Sequence, residues 1–231
     1  MHRIAAPEFS LVCRVQRKSP MKSTMTQRDV IVYLVDDDES ILHSQFALLT
    51  AAGMSVETFS SAEEFMSSLT PQSAGCVVTD LKMSGMSGLD LQRKLVARNS
   101  TLPLIVVSGH VNVSTTVEIM KNGAMTLLQK PYAANEFLEA VRRGLDQFVE
   151  NRERTTELNS IQERLASLSE GEMAVLELII AGQPNKVIST ELEISMRTVD
   201  RWRSIVLEKM QVASAPELSR LVTLVEAGPI T

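Results

Sequence analysis

With 231 residues, 44% of them hydrophobic, and a net charge of −5, the chain suits two modest globular domains and is not a simple polycation. Its cysteines, Cys13 and Cys76, form neither a disulfide framework nor a zinc-ligand spacing, which fits a reducing cytoplasm. No apolar run approaches the roughly 20 residues of a membrane span, so no membrane partner is expected.

Residues 1–28 carry six cations against one acid, Glu8. They read as a basic arm or as a disordered N-terminal extension; Met21 and Met25, just ahead of the first strand, favour the extension. The apolar stretch 9–15 is broken by Arg14 and followed by Arg17, Lys18 and Lys22, which argues against a secretory signal. Residues 30–35, V-I-V-Y-L-V, are apolar throughout, as in a strand buried on both faces of a parallel sheet, and three acids follow. Asp38, the third, reads as a helix cap. Ile41, Leu42, Phe46 and Leu49 mark the helix, and Gly53 stops it. A short strand is expected over 56–59. Ser60 or Ser61 then caps a helix, with Glu63 or Glu64 three residues on. Residues 77–79 form a strand ending in Asp80, and Leu89, Leu91, Leu95 and Val96 stripe a helix. Residues 102–107 form a fourth strand, 113–122 a helix, and 124–128 a fifth strand before Lys130-Pro131. Phe137, Val141, Leu145 and Phe148 stripe a further helix. Five strand–helix alternations predict a doubly wound α/β domain with a five-stranded parallel sheet over 29–148.

A polar helical linker is expected over 149–167. Its Leu158, Ile161 and Leu165, with Leu168, suit either a short coiled-coil seam or a single helix packed on a neighbour. Beyond it the pattern is helical only. Ser169 with Glu172 caps one helix, Gly182 ends it, Pro184 suits a first turn, Ser195 caps the next helix, and Ser214 with Glu217 caps the last. Residues 168–231 therefore read as a small all-α domain.

The chemistry-bearing residues of the first half fall at strand ends. Asp36 and Asp37 follow the first strand, Asp80 the third, Ser108 the fourth and Lys130 the fifth. In open α/β sheets ligands bind outside the carboxyl ends of the strands. Three clustered carboxylates repel one another, and a hard cation such as Mg²⁺, which takes oxygen ligands, relieves that. A carboxylate beside a lysine and a hydroxyl can accept a phosphoryl group as an aspartyl phosphate, with Asp80 as the nucleophile.

These motifs, V-D-D-D at 35–38, D-L-K-M-S-G-M-S-G at 80–88, V-S-G-H at 107–110, N-G-A at 122–124 and K-P at 130–131, resemble the receiver domain of two-component response regulators, which has a flavodoxin-like fold. The resemblance implies Asp80 as phosphoacceptor for a sensor histidine kinase. It also implies Mg²⁺ held by Asp36, Asp37, Asp80 and the Lys82 carbonyl, Ser108 as switch hydroxyl, Lys130 as phosphate-sensing cation, and a cis Lys130–Pro131 bond. Two positions depart from the family. Ser84 stands where proline is usual, and Leu127 stands where an aromatic switch residue is usual.

The second half, with L-S-E-G-E at 168–172, A-G-Q-P-N-K at 181–186, I-S-M-R-T-V at 194–199 and K-M-Q-V at 209–212, resembles the LuxR-type helix-turn-helix domain of the NarL/FixJ group. Residues 195–211 form its expected recognition helix, entering the major groove of double-stranded DNA. Arg197, Arg201 and Lys209 are spaced to share a face. Val199 could touch a thymine methyl. Trp202 suits either a DNA contact or packing against the preceding helix. Arg203 and Lys186 suit phosphate contacts. Six cations against nine acids over 168–231 leave only this helix locally basic, so DNA binding is expected to depend on dimerisation. The expected function is phosphorylation-controlled transcription in the cytoplasm, with a homodimer on activation and no enzymatic turnover. Two other classes are an aspartate-nucleophile, Mg²⁺-dependent phosphohydrolase, and a receiver that acts through protein contacts alone.

Overall fold

The structure, a computed structural model, describes residues 30–109 and 112–226. The extension expected over 1–28, with Cys13, and His110 of the V-S-G-H motif lie outside the described residues.

The first half alternates β1 (Ile31–Val35), α1 (Glu39–Ala51), β2 (Ser55–Phe59), α2 (Ala62–Ser68), β3 (Gly75–Asp80), α3 (Gly88–Ala97), β4 (Leu104–Ser108), α4 (Val113–Lys121), β5 (Thr126–Gln129) and α5 (Ala134–Ala166). The strands are all parallel, in the order β2-β1-β3-β4-β5. Strands β1, β3 and β4 are buried almost end to end, which their unbroken apolar runs require. The edge strand β2 is mostly exposed and carries the mixed sequence S-V-E-T-F.

Local chemistry sets the helix starts. Asp38 caps α1 by accepting from the Ser40 and Ile41 N–H groups. Ser61, not Ser60, caps α2, and Glu64 returns its carboxylate to the Ser60 N–H. The first turn of α3 lies so close to the end of β3 that a Cβ on Gly88 would strike the Asp80 carbonyl oxygen.

Helix α5 is one element of 33 residues, about 50 Å long at 1.5 Å per residue. The linker expected over 149–167 is its continuation. Phe137, Ala140, Val141, Leu145 and Phe148 are buried in the core beneath the sheet, where Gly144 meets Cys76 and Ile105. Residues 150–157 are exposed on every side. Ile161 is then fully buried in a second core, with Leu165 and Leu168 packed on that core. This apolar stripe is covered by the chain's own second domain, so the coiled-coil alternative is set aside.

That domain consists of α6 (Glu170–Ile180), α7 (Asn185–Glu191), α8 (Met196–Lys209) and α9 (Ala215–Glu226). Its core joins Ile161, Val175, Leu176, Ile179, Ile188, Val199, Val206, Met210, Leu218 and Leu221. Ser169 and Glu172 form the full capping box at α6, and Pro184 stands at the N-cap of α7, one place ahead of the first turn. No described helix is long and apolar enough to cross a membrane.

Gly88→Ala should lower the stability of the first domain by about 1–3 kcal/mol, because the methyl group meets backbone that cannot move aside. Urea unfolding followed by circular dichroism should show an earlier transition. The fluorescence of Trp202, the only tryptophan of the chain, should report an unchanged transition of the second domain.

Candidate functional sites

The sheet order reverses between β1 and β3, the place where open α/β sheets bind ligands. Val35 pairs with Thr79, so Asp36 and Asp80 emerge side by side, each one residue further on. Ser108 pairs with Gln129, which brings Lys130 out next to them. The Lys130 N–H donates to the Ser108 carbonyl at 2.8 Å, and the Lys130–Pro131 peptide is cis. The Lys130 ammonium donates to Asp80 Oδ1 at 2.7 Å and to Asp36 Oδ2 at 3.1 Å.

The remaining oxygens are also engaged. Asp80 Oδ2 accepts the Lys82 N–H at 2.6 Å, and Asp36 Oδ1 accepts the Asp38 N–H at 3.0 Å. Burial pushes the Asp36 carboxyl above its usual range, against the Asp38 N–H and the Lys130 charge. Burial would pull Lys130 down, but the hydrogen bond to Asp80 and the pull of Asp36 outweigh it and raise its pKa. Lys130 is therefore firmly cationic at neutral pH. Ser108 is buried at the end of β4.

Asp37 is exposed and turned toward the loop after β3. Its Oδ2 accepts the Ser84 N–H at 2.7 Å and the Ser84 hydroxyl at 2.8 Å. These two bonds hold the Asp37 carboxyl below its ordinary range. The same loop is anchored from its other side by Glu63, whose Oε1 accepts the Met86 N–H at 2.9 Å. Asp36, Asp37, Asp80 and the Lys82 carbonyl, the expected ligands, offer oxygen donors only, the kind a hard dication takes. Among the described residues, however, no three acidic, histidine or cysteine side chains converge closely enough to hold an ion; Asp37 Oδ2 is bonded to Ser84, and Asp36 and Asp80 are bonded to Lys130.

In the second domain, α7 and α8 are joined by a turn in which Glu193 takes a positive φ and the Ser189 hydroxyl donates to the Ile194 carbonyl at 2.6 Å. Ser195 caps α8. Lys186, Arg197 and Arg201 are exposed. Arg203 is half-buried and donates to Asn185 Oδ1 at 3.2 Å; Asn185 in turn donates to Asp200 at 2.7 Å.

Residues 32–142 match the family described as response regulator receiver domain, and residues 166–222 match the bacterial regulatory proteins of the luxR family. The transcriptional regulatory protein FixJ of Azorhizobium caulinodans is 38% identical over 198 residues, which span 86% of this chain and 94% of that protein. The chain belongs to the two-component response regulators that join a receiver to a LuxR-type DNA-binding domain. The response regulator protein TodT of Pseudomonas putida is 35% identical, over 85% of this chain and 87% of its own. Among solved structures, response regulator StyR superposes with a TM-score of 0.77 at 36% identity, covering 84% of this chain and 98% of that one. Full-length FixJ from B. japonicum gives 0.55 at 35% identity, over 87% and 98%.

For this response regulator's recognition helix the expectations for Val199 and Lys209 need correcting, and of the two readings of Trp202 the packing one holds. Val199 is fully buried in the domain core and cannot meet a base. Trp202 packs inward as well: its ring lies against Gly171, where an added Cβ would collide with it. Lys209 is committed elsewhere, donating to the Ser167 carbonyl at 3.0 Å and to Glu172 Oε2 at 2.6 Å. It thus ties the end of α8 to the junction of α5 and α6. Arg164 of α5 completes the tie by donating to the Met210 carbonyl at 2.8 Å. Val199, Trp202, Val206 and Met210 recur at helical spacing, a stripe that marks the core-facing side of α8. Met196, 45% exposed at the first position of α8, is an apolar group that the sequence reading missed. Arg164 was missed too.

The Lys209 bond holds the Glu172 carboxyl below its ordinary range. A carboxylate depressed in the folded state stabilises above its unfolded pKa, and the gain is lost as pH falls through the folded value. Lys209→Met should therefore lower the melting temperature of the DNA-binding domain at pH 7. The gap between variant and wild type should close as pH drops below the carboxylate range. Thermal unfolding followed by Trp202 fluorescence at several pH values measures this.

Proposed function

We propose that Asp80 receives a phosphoryl group from a sensor histidine kinase and that the modified chain binds specific double-stranded DNA as a homodimer. The observation that carries this reading is the Lys130 ammonium held between Asp80 and Asp36 at the β1/β3 switch point. An Asp80 carboxylate oxygen attacks phosphorus, the P–N bond to the kinase imidazole breaks, and its electron pair stays on the nitrogen. The transferred group brings about two negative charges and three acceptor oxygens. Lys130 takes up one of those oxygens and the Ser108 hydroxyl another, while the Lys82 N–H steadies the carboxyl end. Asp36, Asp37 and the Lys82 carbonyl would hold Mg²⁺, which supplies positive charge against the phosphoryl oxygens.

The outward path runs through α5. Its first half packs on the core beside β3 and β4, and its last turn holds α8 through Arg164, Ser167 and Lys209. With Leu127 half-buried on β5, no ring is available there to turn inward, so the shift at Ser108 and Lys130 passes to the adjoining backbone of β5 and the start of α5. In the output domain, Arg197, Arg201 and Met196 read the major groove from the N-terminal part of α8. Lys186 contacts phosphate, and Arg203, set by Asn185, reaches the backbone beside it.

Two measurements test the reading. On DNA enriched by the protein from a genomic library, beryllofluoride with Mg²⁺ should strengthen wild-type binding about tenfold. Asp80→Asn should give no response, and an equal response in that variant would move the site elsewhere. On the same DNA, Arg197→Ala and Arg201→Ala should each weaken binding about tenfold. Lys209→Met, which faces α6, should stay within about twofold. A Lys209→Met loss as large as that of the arginines would return Lys209 to the DNA face.

A further inference from the structure

The loop after β3 carries a feature that the transfer chemistry does not use. Ser84 places two donors, its N–H and its hydroxyl, on the single oxygen Oδ2 of Asp37, at 2.7 and 2.8 Å. A carboxylate oxygen offers about two lone-pair sites, so both sites of Oδ2 are filled. The contact joins residues 47 apart in the chain and ties the loop after β1 to the loop after β3. Glu63 gives the second loop a separate anchor through the Met86 N–H.

We propose that Ser84 is a latch on the cation site: it occupies Asp37, and a divalent cation enters this receiver by displacing the Ser84 donors from that carboxylate. The inference rests on the reading of Asp36 and Asp37 as the residues that hold Mg²⁺. Its physical basis is competition. Two positive bond dipoles and a dication compete for the charge of the same carboxylate, and they repel each other there. Both partners are exposed, so water weakens the latch and its effect on affinity is moderate. The consequence is a receiver that loads its cation at a higher concentration than an unlatched site would need.

Two substitutions grade the effect. Ser84→Ala removes the hydroxyl and keeps the N–H. Ser84→Pro removes both donors, since proline has no N–H. Binding of Mn²⁺ to the full-length protein, read from the loss of the free-ion electron paramagnetic resonance signal and competed with Mg²⁺, reports affinity without any phosphorylation step. Binding should tighten about threefold in Ser84→Ala and about tenfold in Ser84→Pro, on the scale of one and two modest hydrogen bonds. Asp37→Asn should weaken it. Thermal unfolding checks that each variant is folded, and if Ser84→Pro is not, Ser84→Ala alone decides. Unchanged or weaker binding in Ser84→Ala overturns the latch and shows that Ser84 merely preorients Asp37. No Mn²⁺ binding by the wild type overturns the cation reading, and the latch falls with it.

Discussion

One ammonium group holds the carboxyl edge of the sheet together. Lys130 Nζ bridges Asp36 after β1 and Asp80 at the end of β3, with both carboxylates largely buried. Two acids brought side by side by the β1/β3 register would otherwise repel each other out of water. Breaking such a pair by removing one partner typically costs about 3–5 kcal/mol, because the remaining charge is left buried and unpaired. The ammonium reaches this position because β5 pairs with β4 and the Lys130 N–H is fixed on the Ser108 carbonyl. The proposed phosphoryl transfer to Asp80 starts from that balance of charge.

The second constraint is the continuity of α5. A helix polar on all sides over residues 150–157 is not held by packing there; it is held at both ends by two separate cores. Those eight residues span about 12 Å, so the two domains are joined by a rod and not by a flexible tether. At the far end the rod meets the recognition helix through polar contacts with backbone carbonyls, Arg164 to Met210 and Lys209 to Ser167. Such contacts fix the pose of α8 relative to α5 without using the side of α8 that carries Arg197 and Arg201. Under the proposed function, this rod is the route by which a shift at the start of α5 would reach α8.

The sheet and its strand-end chemistry were legible in the sequence because both are local in pattern. Apolar runs mark the buried strands, and the acids and the lysine stand directly after them. Asp36, Asp37, Asp80, Ser108 and Lys130 accordingly fall where the alternation places them. Contacts between distant residues were not legible. Ser84 meets Asp37 across 47 residues and Lys209 meets Glu172 across 37, and no periodicity announces either. Val199 is a different case: its stripe with Val206 and Met210 was present, but a short basic helix invites assignment by charge before assignment by face. The helical character of 149–167 was legible too, and the structure shows it as the unbroken continuation of α5.

The measurement that tests the central claim most directly is chemical mapping of the acyl phosphate. The full-length protein is incubated with acetyl phosphate and Mg²⁺, reduced with borohydride, which converts an aspartyl phosphate to homoserine, and digested for mass spectrometry. Homoserine at position 80 is the predicted result. Homoserine at 36 or 37, or at no aspartate at all, would contradict the account.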